Sequence, residues 1–194
     1  MKKLWLFILV ITLLATACQY RKFEFVATIG IDKEFVVDQT GYFSEKQTIT
    51  RNQILNALDI PVTADIKEVN IEKIALRVTI LDKNEASFVS ASGRLQLGTS
   101  NPEVFKDKVI PLVAVNAPII GLNNLIAEGV EGLKGKLEGY IKNTDATSFD
   151  FEIYGDSSPT TGQKINVKIE LQITGTVKYE DCIETLSIIG DDCD

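Results

Sequence analysis

Ile165-Asn-Val-Lys-Ile-Glu-Leu-Gln-Ile-Thr-Gly-Thr-Val-Lys-Tyr179 is the cleanest alternation in the chain. Ile165, Val167, Ile169, Leu171, Ile173, Val177 and Tyr179 fall on one side of a period of two. Asn166, Lys168, Glu170, Gln172, Thr174, Thr176 and Lys178 fall on the other. That period predicts a strand with one apolar and one wet face. At ~3.3 Å per residue the run spans about 50 Å, so it is expected to bend or cross between sheets, with Gly175 as the bend point. Phe149, Phe151 and Ile153 alternate in the same way just before it. Gly155 to Gly162 reads as the turn-rich loop between two arms of a long hairpin.

Upstream lies a helical pattern. Pro118 can open a helix, and Ile119, Leu122, Ile126, Val130, Leu133, Leu137, Tyr140 and Ile141 recur at steps of three and four. They form one apolar stripe opposite Glu128, Glu131, Lys134, Glu138 and Lys142. Asn143 is the expected C-cap. Gly129, Gly132, Gly135 and Gly139 interrupt this helix, each at roughly 1 kcal/mol against Ala. Close packing of the backbone on a sheet explains them; a helix loosened beside a ligand cleft is the sharper alternative.

Further upstream, Val69 and Ile71 have one parity and Ile74, Leu76, Val78 and Ile80 the other, which predicts a bulge at Glu72-Lys73. Asp82 to Glu85 reads as a turn, and Val89 to Leu97 as the returning arm of a hairpin. Val109 to Val115 contains Pro111, which suits an edge or bulged strand. Thr50-Arg-Asn-Gln53 is a capping box that opens a short helix through Leu58, with Ile49 and Ile54 at the staple positions. Phe23 to Ile31 alternates, and Asp32-Lys33 is expected to turn it into Glu34–Asp38 as a hairpin. The predicted fold is α+β: a curved, mainly antiparallel sheet packed on one long amphipathic helix, plus one short helix.

The 194 residues carry 27 acids, 20 bases and a net charge of −7. An acidic body argues against nucleic acid and against electrostatic docking on anionic lipid. The chain has no His, so a Ser-His-Asp or Cys-His nucleophile is impossible and the commonest metal ligand is missing. Glu24, Asp150, Glu152 and Glu170 alternate with core residues, as acids on a wet sheet face do. Glu180, Asp181, Glu184, Asp191, Asp192 and Asp194 read as a solvated acidic tail, because no calcium-loop spacing is present. Neither an enzyme, a cofactor nor a metal is expected.

The N-terminus says where the chain lives. Lys2 and Lys3 precede the apolar run Leu4–Leu14, then Ala15-Thr16-Ala17 and Cys18. This is a secretory leader, too short for a membrane span. Leu14 to Cys18 resembles the bacterial lipoprotein signal, although Ala15 stands where that pattern usually has Leu. The resemblance implies cleavage before Cys18, diacylglycerol on its sulfur and an acyl group such as palmitate on its amine. It gives residues 1–17 as signal peptide, 18–22 as lipidated tether and 23–194 as one domain. The expected site is a bacterial membrane, the outer one facing the periplasm. With Cys18 lipidated, Cys182 and Cys193 remain as an even pair in an oxidising compartment, and a disulfide between them is expected.

The order of elements, with Thr48–Leu58 and Ile119–Ile141 as its helices, is similar to that of small tubular lipid-binding bacterial lipoproteins. That resemblance implies an apolar ligand held between helix and sheet; its binding residues are not identifiable. The competing reading is a β-sandwich lipoprotein with a structural or protein-interaction role in the envelope. A connected cavity between stripe and sheet would mark the first, a filled interior the second.

Overall fold

A computed structural model describes residues 19–113, 117–158, 162–185 and 191–193; residues 1–18, on which the expected leader and the expected lipidation at Cys18 fall, lie outside them. The elements in order are β1 Gln19–Thr40, β2 Phe43–Ile49, α1 Arg51–Ala57, β3 Asp65–Ile80, β4 Phe88–Gln96 and β5 Glu103–Pro111. There follow β6 Ile120–Gly121, α2 Ala127–Ile141, β7 Phe149–Ser158, β8 Lys164–Thr185 and β9 Asp191–Asp192. Two antiparallel sheets form, ordered β6-β3-β8-β1-β9 and β2-β7-β4-β5. The chain stays in one sheet only from β4 to β5, and from β8 to β9 at the C-terminus; every other step changes sheet. Two interleaved four-stranded sheets with this order make a jelly roll, to which β9 adds a short edge.

This replaces the predicted single sheet on a long helix. The alternation of β8 is real: Ile165, Val167, Ile169, Leu171, Ile173 and Val177 are buried. Alternation says that one face is covered, not what covers it. Here the cover is the facing sheet, through Phe43, Ile49, Val89, Leu95, Phe149, Phe151 and Ile153, all in one continuous core with β8.

Several predicted elements change for the same reason. β1 does not turn at Asp32-Lys33: all its residues, Gln19 to Thr40, pair with β8, from Thr185 back to Lys164. Ile29, Ile31, Phe35 and Val37 keep one parity throughout, so the strand continues. Lys33, inward by that parity, reaches the Thr48 carbonyl at 2.7 Å and Gln53 Oε1 at 2.9 Å. Gln19–Lys22 is therefore ladder, not tether. β3 and β4 belong to different sheets and are not a hairpin. β7 runs through Gly155 to Ser158, so that segment is strand and not loop. Gly155 lies between Phe43 and Ala91. β8 stays in one sheet. Gly175 is a close-approach site: a Cβ there would sit 2.5 Å from the Asn70 carbonyl oxygen, opposite the register shift at Ile71/Lys73. The predicted bulge at Glu72-Lys73 is that shift.

The long helix is shorter than the stripe suggests. Residues 119–126 make other bonds: Ile120 and Gly121 pair with Leu76 and Ala75. Leu122 N donates to Ile74 O at 2.9 Å, and Ile126 N to Val104 O at 2.8 Å. With those donors taken by strands, α2 starts at Ala127. It packs on β3, β5, β4 and α1 at one end of the sandwich, not chiefly on β8. Asn143, just past its end, adopts φ 56°, which Asn tolerates. α1 has the predicted capping box between Thr50 and Gln53, and Ile49 and Ile54 are fully buried. β5 is the edge of its sheet, as Pro111 requires.

Gly41, at φ 84°, lets the chain leave β1 and enter β2 in the other sheet within two residues. β3 pairs with β8 only as far as Asp65–Glu180. Beyond it, residues 19–23 and 181–185 run on as a two-stranded tongue. β9 pairs with the tongue at Arg21 and Lys22.

Candidate functional site

The tongue carries the expected cysteine pair. Cys182 and Cys193 are bonded, with Cα atoms 6.2 Å apart, and tie the C-terminal segment to β8. Closing a loop of about a dozen residues stabilises by roughly 3 kcal/mol in the chain-entropy account. The expected result is zero free thiols at these two positions in denatured, unreduced protein taken from its native compartment. Two reactive thiols there would refute the bridge. Tyr20 and Ile183, 61% and 41% exposed, lie on the same tongue, with Ile183 opposite Arg21.

The space between helix and sheet, where a ligand was expected, is filled. Leu133, Leu137 and Tyr140 are fully buried. Tyr140 stacks on Phe149 at 6.1 Å and donates to the Thr147 carbonyl at 2.5 Å. Burial, with the Asp145 charge behind it, pushes its phenol up to about 12. Three of the four helix glycines sit against neighbours. A Cβ on Gly129 would strike the Glu103 carbonyl, one on Gly132 would come within 3.2 Å of Leu97, and one on Gly139 within 2.9 Å of Asp145; Gly135 faces open space. Close packing thus accounts for Gly129, Gly132 and Gly139.

The outer faces of the two sheets differ. On the first, Lys178–Glu68, Arg77–Glu170, Lys168–Glu34 and Lys164–Asp38 pair across β1, β8 and β3 at 2.6–3.4 Å. Such exposed ladders contribute little each.

The second sheet buries a charge on its outer face. Glu152 alternates with Phe151 and Ile153 and reads as a wet-face acid, yet it is 2% exposed. Arg94, its cross-strand partner on β4, donates from Nε to Oε2 at 2.8 Å and from an amino group to Oε1 at 3.0 Å. Ser44 on β2 donates to Oε1 at 2.6 Å, and Gln96 to Oε2 at 2.6 Å. Burial pushes the Glu152 carboxyl up. The Arg94, Ser44 and Gln96 bonds outweigh it and hold the group at about 2. The same Arg94 lies 4.8 Å over the Tyr154 ring. Tyr154 donates to Glu103, and Tyr42, 60% exposed, leans on it at 6.3 Å. Sequence reasoning missed this cluster because Ser44, Arg94 and Glu152 meet only through long-range register; no local spacing announces them.

A cleft of about 740 Å³ opens at the end of the sandwich between α1, the segment leading into β3, and the end of α2. Among the described residues, no group of His, Cys, Asp and Glu is placed to hold a metal ion, and no helix is long and apolar enough to cross a membrane.

No protein-family profile matches the chain, and no curated protein matches it. Among solved structures, a decameric BFDV capsid protein is similar at TM-score 0.41 and 10% identity, over 81% of this chain and 99% of that one. The VP2 subviral particle of infectious bursal disease virus is similar at TM-score 0.36 and 15% identity. It is matched over 85% of this chain, which spans only 38% of that protein. Likenesses this slight carry no argument about function, and the jelly roll stands on its own strand order.

Proposed function

We propose that the chain is a non-catalytic, lipid-anchored envelope protein whose β-sandwich serves a structural or protein-interaction role. The observation that carries this reading is the tongue. Strand pairing starts at Gln19, one residue after Cys18. Exposed Tyr20 beside that residue suits the boundary between bilayer and water, where aromatic rings with a polar tip settle. Lipid on Cys18 would hold the sandwich directly against the membrane with no spacer. Several acyl chains, at ~0.8 kcal/mol per buried methylene, make such an anchor effectively permanent. The outer membrane, with the body in the periplasm, is the location this reading assigns.

The partner face is the Tyr42–Tyr154–Arg94 cluster. Tyr and Arg are enriched where interfaces concentrate their energy, and the Glu152 fork holds this Arg in place before any partner arrives. Anchorage is tested by fractionating the native cell. Wild type is expected in the membrane and Cys18→Ser in the soluble periplasmic fraction; identical fractionation of the two would remove the lipid. The interaction role is tested with a photo-crosslinking residue at Tyr42 and, as control, at exposed Val36 on the other sheet. A discrete adduct from position 42 alone is expected; adducts from both, or none, count against this face.

A further inference from the structure

From its lining and charge, we infer that the cleft between α1 and the end of α2 binds a single-chain anionic amphiphile, an acyl chain with a carboxylate head. Leu55, Leu58, Ile60, Val62, Ile66 and Ile141 supply the apolar part of its lining, and polar atoms supply about as much surface again. Val62 projects with its side chain wholly exposed, while Leu58 and Ile66 form the buried floor. Volumes of ~300–1,000 Å³ are those of small-molecule sites, and this one, at about 740 Å³, falls among them.

The polar residues of the lining select the head group. Arg51 and Lys142 are its two cations and Asp65 its anion. Asp65 is already held by Lys67 at 2.7 Å. Arg51 is fixed by its Nε, which donates to the Tyr140 carbonyl at 3.0 Å, so its guanidinium fork is set at the wall before a ligand arrives. On a chain of net charge −7, a cleft that is part apolar and carries two cations against one anion already paired with Lys67 is complementary to a negative head on a hydrocarbon tail. The site is distinct from the helix–sheet space, which is filled. It does not depend on anchorage at Cys18 or on the Tyr42 face.

The test uses the full chain in neutral phosphatidylcholine vesicles and a palmitate analogue bearing a diazirine in its tail. After irradiation, adducts are mapped by peptide mass spectrometry. They are expected on the segments Leu55–Ile66 and Ile141–Asn143, and excess palmitate is expected to remove them. Lys142→Glu, at an exposed position, is expected to weaken labelling by roughly two- to fivefold, the reach of one exposed ion pair. Val62→Asp places a like charge at the mouth without touching the core and is expected to weaken it similarly. The corresponding neutral alcohol probe is expected to label less than the acid. Labelling elsewhere, or none that palmitate displaces, overturns the proposal. So does equal labelling by the alcohol, or labelling indifferent to both variants. Equal labelling by a two-chain phospholipid probe would make the site one for bilayer lipid and overturn the single-chain assignment.

Discussion

Arg94→Ala is expected to cost about 3 kcal/mol or more in urea melts at neutral pH. Removing one member of a buried pair leaves the other charge without compensation, typically ~3–5 kcal/mol. The Glu152 side chain is 3% exposed while that of Arg94 is 33% exposed, which sets the expectation at the lower end. Lys168→Ala, on the exposed ladder of the other sheet, is expected to cost under ~1 kcal/mol.

The pH dependence carries a definite sign. Glu152 is held at about 2, below the ordinary 4.5. The stability it contributes, on the order of 3 kcal/mol, is fully present above pH 4.5 and lost as pH falls toward 2. Without Arg94, only the Ser44 and Gln96 bonds still oppose burial, so the carboxyl rises from about 2 and protonation relieves the variant as acid is added. The gap between wild type and Arg94→Ala is therefore largest near neutrality and narrows as pH falls toward 2. A gap that stays constant from pH 7 to pH 3, or equal costs for Arg94→Ala and Lys168→Ala, would mean that Glu152 is solvated after all.

Gly129→Ala is expected to exceed the usual ~1–3 kcal/mol of overpacking, because the obstruction is backbone. The added methyl would meet the Glu103 carbonyl and lie 2.7 Å from Val104 Cα, so β5 or α2 must move. Gly135→Ala, on the same helix but facing open space, is expected to stabilise by up to ~1 kcal/mol through helix propensity. Thermal melts of the two variants against wild type decide this. Two stabilised variants would show that α2 does not press on β5; two destabilised ones would mean that Gly135 also has a close neighbour.

Features written in neighbouring residues were legible in the sequence. The Thr50–Gln53 capping box lies within one turn. The parity switch at Glu72-Lys73 is a bulge wherever the strand is placed. The alternation from Ile165 to Tyr179 makes a strand with one buried face in any antiparallel sheet. The C-cap expected at Asn143 falls one residue late: Lys142 caps α2, and Asn143 follows it in the left-handed conformation.

What the tertiary structure decided is which element covers which face. The apolar side of β8 is the same whether a helix or a second sheet lies on it, so the period could not choose between a sheet-on-helix fold and a jelly roll. Ile119 and Leu122 satisfy a helical stripe, yet their segment takes strand bonds to β3, because a partner's ladder outweighs a propensity of tenths of a kcal/mol. Phe23 to Val37 looks breakable at Asp32-Lys33 until β8 is laid beside it. Glu152 looks solvated until Arg94, Ser44 and Gln96 close over it from two other strands. Each of these choices rests on contacts between residues dozens of positions apart, and short-range periodicity carries no record of such contacts.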